Sequence, residues 1–250
     1  MEQEITSVNN ELVKNTVKLQ QKKYRDSEKR FLLEGFKPIE EAFNSGLKIE
    51  QVFVEKKHAQ KYSFLSSPLI PTTEAVLKKI STTDSAPDAV AIAKQKTFTL
   101  EDIKAAKKVI LLENIKDAGN LGTILRTAKA FSQDAVVLYG DTVDLYNPKC
   151  VRSAVGNLWK LPVVQIKDFN ELESTFKNFE KTATLPKSQD TINLKDYEAK
   201  SPYLIMFGSE AEGLSKKLIN LADKKITIKM NNDVESLNLS VSVGIILAFL

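Results

Sequence analysis

The sequence predicts a two-domain α/β protein whose larger, C-terminal part is a parallel sheet covered by helices on both faces. Three observations predict it. From residue 108 onward, apolar runs of strand length alternate with helical stretches, the pattern of a parallel sheet buried on both sides. Three of those runs pass directly into polar turns that open helices, and open parallel sheets hold ligands at such carboxyl ends. Ahead of them, residues 1–95 combine a lysine-rich segment with a shorter alternation of strands and helices that reads as a compact α/β sandwich.

In chain order, residues 7–46 are dense in Lys14, Lys18, Lys22, Lys23, Arg25, Lys29, Arg30 and Lys37, interleaved with Tyr24, Phe31 and Phe36. Such a run is either a solvated helix face or a nucleic-acid surface. Residues 31–35, FLLEG, read as strand into turn, residues 38–44 as a helix ending near Gly46, and residues 51–54 as a second strand. Residues 66–73, SSPLIPTT, read as a loop, and residues 89–93 as an apolar strand after a turn. The charged stretch 94–108 is the expected interdomain connection, with a short helix at 100–106. The predicted division is a first domain over 1–95, a linker over 96–107 and a second domain over 108–250. In that second domain, strands are predicted near 109–113, 135–139, 162–166, 181–185, 203–207 and 225–230. Helices are predicted near 120–132, 148–157, 168–178, 213–221 and 238–249.

At 250 residues, 42% hydrophobic and 27% charged, the chain can fill a core in each of two modest domains. A net charge of +4 is compatible with a nucleic-acid partner without requiring one. The single cysteine, Cys150, excludes an internal disulfide and a cysteine-cluster metal site, and reads as a packing residue. The single histidine, His58, excludes a His-dyad metal site and disfavours a Ser-His or Cys-His nucleophile, so no metal is expected. The uncharged apolar run over 237–250 is 14 residues long, short of the roughly 20 needed to cross a bilayer. With no signal-peptide pattern at the N-terminus, a cytoplasmic location and no membrane partner are expected.

The three turns carry the polar chemistry. The first follows the strand at 109–113 and reads Asn114-Ile115-Lys116-Asp117-Ala118-Gly119-Asn120-Leu121-Gly122, with Arg126 on the helix beyond it. The second follows 203–207 and contains Gly208, Glu210 and Gly213. The third, Asn231-Asn232-Asp233-Val234-Glu235-Ser236-Leu237-Asn238, lies between an alternating strand and the apolar C-terminal helix. Ser236 or Asn238 could cap that helix, yet two candidate caps in three residues exceed what one helix start requires. No G-x-G-x-x-G is present, and Gly208 to Gly213 continues into Leu214-Ser215 where a P-loop would carry Lys. A Rossmann dehydrogenase or P-loop enzyme is therefore disfavoured, which leaves a ligand gripped mainly by main-chain groups.

These turns, NIKDAGNLGTILRTA, LIMFGSEAEGLS and IKMNNDVESLNLSVSVGIILAF, resemble in order, spacing and content the three motifs of the SpoU (TrmH) class of RNA ribose 2'-O-methyltransferases, of the SPOUT superfamily. The segment KLQQKKYRDSEKRFLLEGFKPIEEAFNSG resembles the substrate-binding domain common in that family, so the likeness covers most of the chain. It implies a trefoil-knotted methyltransferase domain, an N-terminal RNA-binding domain of ribosomal-protein type, S-adenosylmethionine as cofactor, RNA as substrate and a homodimer. Ribosomal RNA is the expected substrate and transfer RNA the runner-up.

Carried over residue by residue, the resemblance places Arg126 at the catalytic centre. A guanidinium suits binding the target phosphate and orienting the hydroxyl, while base catalysis would need a strongly altered environment. Asn120 would hold the arginine or the ribose, with a helix N-cap as its plain structural reading. Glu210 would orient Arg126 or a loop amide, and Ser236 and Asn238 would fix the hydroxyl and the loop around the donor methyl. Gly208, Ile228 and Leu237 match positions that approach the cofactor, with Met230 and Thr184 as neighbours. Asn114 is a weaker candidate, and Arg152 and Ser153 resemble a further segment on the RNA-facing side. Ala118 stands where the family commonly has proline, and Ser242-Val243-Gly244 replaces a more alanine-rich helix start; neither removes a side chain assigned to chemistry. A non-catalytic RNA-binding factor that kept the fold is the alternative of a different class, disfavoured by the joint presence of Asn120, Arg126, Glu210, Ser236 and Asn238.

Overall fold

The structure is a computed structural model that describes residues 4–231 and 233–250, so Asn232 of the third turn lies outside the described residues. The chain divides into two compact units, one of residues 4–96 with Asp144–Trp159, the other of Thr97–Val143 with Lys160–Leu250.

The first unit begins with helices α1 (Glu11–Lys18) and α2 (Lys22–Glu28), followed by β1 (Arg30–Glu34), α3 (Phe36–Asn44), β2 (Ile49–Glu55), β3 (Leu69–Thr72), α4 (Glu74–Ile80) and β4 (Ala89–Lys94). Its sheet has the order β1-β4-β2-β3. The strand β3 lies inside SSPLIPTT, where a loop was expected. Its two prolines mask it, and an edge strand is where a sheet tolerates Pro71, because one side of the ladder needs no donor. Phe31 is fully buried and stacks with Tyr146 and Trp159 at centroid distances of 4.6 and 6.1 Å, and Phe36 meets Tyr62 and Phe64 edge-on. Of the three aromatics of the basic segment, Phe31 is thus a core residue, while Phe36 and Tyr24 are half-buried.

The second unit opens on β5 (Lys108–Glu113), α5 (Ala118–Ala130) and β6 (Ala135–Tyr139). The chain then enters the first unit through α6 (Pro148–Ala154), which reaches a left-handed residue, Val155, and Gly156. Gly156 lies so close to α3 that a Cβ there would stand 2.9 Å from Glu41 Cβ. Three polar ties hold this excursion. The buried Arg25 donates from Nε and Nη2 to Asp144 at 2.9 and 2.6 Å. Arg152 donates to Glu34 and Thr82, and Tyr146 Oη donates to the Lys96 carbonyl at 2.6 Å. Charge-assisted, forked bonds of this kind fix orientation as well as distance.

The second unit resumes with β7 (Val163–Ile166), α7 (Phe169–Thr175), β8 (Glu180–Thr184), β9 (Ile192–Asn193), β10 (Tyr203–Phe207), α8 (Lys216–Leu221), β11 (Lys224–Thr227) and α9 (Leu239–Ala248). Seven parallel strands run in the order β7-β6-β5-β10-β8-β11-β9. The central β10 is buried at all five positions, which is why it reads as a continuous apolar run instead of an alternation. β10 enters the gap between two earlier strands, β5 and β8, an order compatible with the knotted path that the resemblance implies. Residues 97–107 do not hang free: Ile103 is buried in the core of this unit, with Phe98, Leu100 and Ala106 packed around it. The helix expected at 100–106 is a single 3₁₀ turn over Glu101–Ile103. The strand predicted to 230 stops at Thr227, and the helix predicted from 213 starts at Lys216, capped by Ser215.

Candidate active site

The three turns converge at the carboxyl edge of the second sheet. Asp117, not Asn120, caps α5, its Oδ1 accepting the Asn120 N–H at 2.7 Å. The Asn120 side chain is thereby left for other work. Its Nδ2 donates to Glu210 Oε1 at 2.5 Å, and its Oδ1 accepts from Asn238 Nδ2 at 3.1 Å. Asn238 in turn caps α9, its Oδ1 accepting from the Ser240 N–H at 2.9 Å and the Ser240 hydroxyl at 2.7 Å. One amide thus joins the first turn to the second and third.

A second tie runs below it. Glu113, the buried last residue of β5, accepts from the Ser215 N–H at 2.7 Å, fastening the far end of the Gly208 turn to the strand that leads into the Asn120 turn. Within that turn, a Cβ on Gly208 would stand 1.9 Å from the Gly213 carbonyl carbon and 2.2 Å from the Leu214 nitrogen. Only glycine fits, because the loop folds back on its own main chain there. The Ser209 carbonyl accepts from the Gly213 N–H at 3.0 Å and closes the turn.

Beside these ties lies a cavity of about 640 Å³, within the range that holds a nucleoside-sized ligand. Gly208 and Glu210 of the second turn line it, as do Ile228, Met230, Ser236, Leu237 and Asn238 of the third. Thr184 lines it from the end of β8, where its hydroxyl donates to the Met206 carbonyl at 2.9 Å. Strand pairing stops at Thr227, so the main-chain groups of Ile228 and Met230 lie outside the ladder, beside the cavity. That arrangement suits a ligand gripped by backbone, and the Glu210 and Glu235 carboxylates at the wall suit a cationic one.

Arg126 is not among the lining residues. It is exposed on α5, six residues beyond Asn120, which puts it about 9 Å along the axis and about 120° around it. Among the described residues it has no hydrogen bond or ion pair within its own chain. Asn114 has a structural post: it adopts φ 52° and its Oδ1 accepts the Asp141 N–H at 2.9 Å. Arg152 and Ser153 belong to the first unit and are not among the lining residues. Sequence reasoning passed over Leu185, Pro186, Ser209 and Ser242, all of which line the cavity, and Glu113, whose single carboxylate at the end of an apolar strand was the available clue.

Comparison with known proteins matches this architecture. The SpoU rRNA Methylase family model covers residues 107–248, and the MRM3-like substrate binding domain covers residues 10–91. An uncharacterized tRNA/rRNA methyltransferase of Synechocystis is 32% identical over 97% of this chain and 91% of its own length. The 23S rRNA (guanosine(2553)-2'-O)-methyltransferase RlmP of Bacillus subtilis is 29% identical over 97% of both chains. The crystal structure of the AdoMet-bound rRNA methyltransferase from Sinorhizobium meliloti superposes with a TM-score of 0.88 at 27% identity, covering 99% of this chain and 96% of that one. With three convergent motif turns and a family model matched over residues 107–248, more than half of the chain, the chain belongs to the SpoU rRNA methylase family.

Proposed function

We propose that the protein transfers a methyl group from S-adenosylmethionine to a ribose 2'-hydroxyl of ribosomal RNA. The observation that carries this reading is the Glu210–Asn120–Asn238 chain, which joins three family motifs beside a largely apolar cavity that also presents carboxylates. Its support from relatives is a Bacillus subtilis enzyme named for 23S rRNA 2'-O-methylation and an AdoMet-bound structural neighbour.

When bound, the cofactor supplies an electrophilic methyl on sulfonium sulfur. The protein's part is alignment and charge. Main chain at Ile228, Met230 and Leu237 would hold the cofactor, and Gly208 would let the second turn approach it closely. Glu210 lines the cavity as one of its carboxylates and would face the cationic cofactor, and Ser236 and Asn238 would fix the hydroxyl. Arg126, exposed and without a carboxylate partner among the described residues of its own chain, binds the phosphate next to the target ribose and orients the 2'-oxygen. The role assigned to this guanidinium is that of a forked donor to phosphate, not of the base.

We take the working form to be a homodimer. Val241, Phe249 and Leu250 on and beyond α9, and Phe131 at the end of α5, are exposed apolar side chains on two neighbouring helices, a face that a second copy would cover. Arg126 stands outside its own cavity, as an arginine that works across a two-fold axis would. The first unit recruits RNA, and the enzyme works in the cytoplasm, where its ribosomal substrate is.

The test is calorimetric titration with S-adenosylmethionine and S-adenosylhomocysteine, followed by radiolabel transfer to total RNA from a source lacking this protein. Binding with label in ribosomal RNA is the expected result. Label confined to transfer RNA would move the substrate, and absence of cofactor binding would leave only an RNA-binding role.

A further inference from the structure

We infer that the corner between α1 and α2 is a subsite for single-stranded RNA, with Tyr24 stacking one unpaired base and Lys18 and Lys23 holding its flanking phosphates. The inference rests on the reading of the protein as an RNA methyltransferase and says where its first unit grips the strand.

The structure sorts the cations of the basic segment into two groups. Arg25 is buried and spent: besides Asp144, its Nη1 donates to the carbonyls of Leu19 and Gln20 at 2.9 and 2.7 Å. Arg30 pairs with Glu50 at 2.6 Å, and Lys37 pairs with Glu40 at 3.0 Å. Lys14, Lys18, Lys22, Lys23 and Lys29 are exposed and, among the described residues, have no carboxylate partner. Two of these five converge on one ring. The Nζ atoms of Lys18 and Lys23 lie 5.9 and 5.8 Å from the centroid of the half-buried Tyr24.

Two uncompensated ammonium groups around one aromatic repel each other, and a fold gains little from gathering them. Cation–π attraction at an exposed site is worth only about 0.5–1 kcal/mol. A polyanion with flat bases removes the repulsion and uses the ring, which is the pairing of cationic groove and stacking platform by which single strands are held.

The corner is also rigid before any ligand arrives. Gln20 Nε2 donates to the carbonyls of Lys79 and Ser81, both at 3.1 Å, and Leu19 is buried beneath it. Arg25 clamps the same turn from inside through its two carbonyl bonds. Tyr24, one residue before that anchor, is therefore presented on a fixed base, so little ordering entropy is lost on binding.

The test uses the full chain and a fluorescein-labelled 20-nucleotide RNA of mixed sequence, single-stranded or annealed to its complement, titrated by anisotropy across a NaCl series. Lys18→Gln with Lys23→Gln should lower the slope of log K against log salt by about 1.4, two single-strand phosphate contacts. Tyr24→Ala should weaken single-strand binding about 5- to 150-fold, the range for one stacked base, while Tyr24→Phe stays within about twofold. Duplex binding should respond to the lysines and not to the ring. Wild-type affinity and slope in Tyr24→Ala and in the double lysine variant would overturn the subsite. Calorimetry with S-adenosylmethionine on the same samples keeps the two ideas apart. If the wild type binds cofactor and methylates ribosomal RNA while Tyr24→Ala binds RNA unchanged, the subsite falls and the enzyme reading stands. If the wild type neither binds cofactor nor methylates, that reading falls, and the anisotropy still decides the subsite.

Discussion

Asn120 donates to Glu210 and accepts from Asn238, and the orientation of its amide is dictated by its neighbours. A carboxylate, as at Glu210, accepts and does not donate. The Asn238 oxygen is already taken by the start of α9, so Asn238 must offer its NH₂. The Asn120 amide meets both at once, with a donor on one side and an acceptor on the other.

Asn120→Ala should therefore cost activity far more than stability. Both bonds are solvent-exposed, so the fold should lose less than about 1 kcal/mol. Loosening the three turns should lower methyl transfer about a hundredfold, the scale of a small misplacement at a reacting centre. Asn120→Asp should be worse, because it sets a carboxylate against Glu210. Radiolabel transfer rates alongside thermal melts check this, and a normal rate in Asn120→Ala would remove the amide bridge from the mechanism.

Arg126→Ala should abolish transfer while leaving cofactor affinity within about twofold and stability within about 0.5 kcal/mol, as for an exposed residue without partners. Arg126→Lys should recover little, since a point charge cannot replace a forked contact to phosphate. Calorimetry and single-turnover transfer on the same preparations separate the two effects. A large loss of cofactor binding would instead make Arg126 part of the cofactor site.

The three turns were legible because each is a break in an apolar run, and a break by Gly, Asn or Ser after a buried strand has few structural uses. Five side chains were named from them and from the resemblance, and four of these, all but Arg126, meet at the cavity or in its amide chain. What stayed hidden depends on contacts distant in sequence. Nothing local distinguishes Phe31 as a core residue from Phe31 as a stacking residue, because its burial is decided by Tyr146 and Trp159, more than a hundred residues away. Asp144–Trp159 likewise reads as an ordinary helix of the second domain, and contacts distant in sequence, among them the Arg25–Asp144 and Arg152–Glu34 pairs, reveal that it packs with the first. The capping of α5 by Asp117 was equally invisible, since Asp and Asn are interchangeable as caps.

Gly208→Ala tests the close approach in the second turn. The new methyl would overlap the Gly213 and Leu214 main chain, which cannot give way as a flexible side chain would. The turn must open, displacing Glu210 from Asn120. Cofactor binding should fall at least tenfold and the melting temperature should drop, whereas Gly213→Ala, with open space around its Cβ but φ +66°, should show mainly the strain of a left-handed residue, about 1 kcal/mol. Equal cofactor affinity in Gly208→Ala and wild type would mean the turn does not contact the ligand.

Two substitutions at Asn238 separate its jobs. Asn238→Asp keeps an oxygen for the Ser240 N–H, with a charge that the helix start favours, but loses the donor to Asn120. It should melt like the wild type and transfer methyl groups poorly. Asn238→Ala loses the cap as well, at about 1 kcal/mol, and should impair cofactor binding and transfer together. If Asn238→Asp is fully active, the bond to Asn120 is incidental to catalysis.

Val241→Glu tests the dimer. Val241 is 48% exposed on a helix with no charged residue, and Phe249 at its end is 54% exposed, an apolar surface that an isolated chain would leave in water. Gly244 lies 3.8 Å, measured from its virtual Cβ, from the Thr127 methyl, so α9 rides alongside α5 and brings its end toward the exposed Phe131. A glutamate in the middle of that face would be buried without a partner in the dimer and solvated in the monomer, which shifts the equilibrium by several kcal/mol toward the monomer. Sedimentation velocity at tens of micromolar should show a dimer for the wild type and a monomer for Val241→Glu, with transfer lost in the variant. A monomeric wild type with full activity would sink the dimer and require Arg126 to reach the cavity of its own chain.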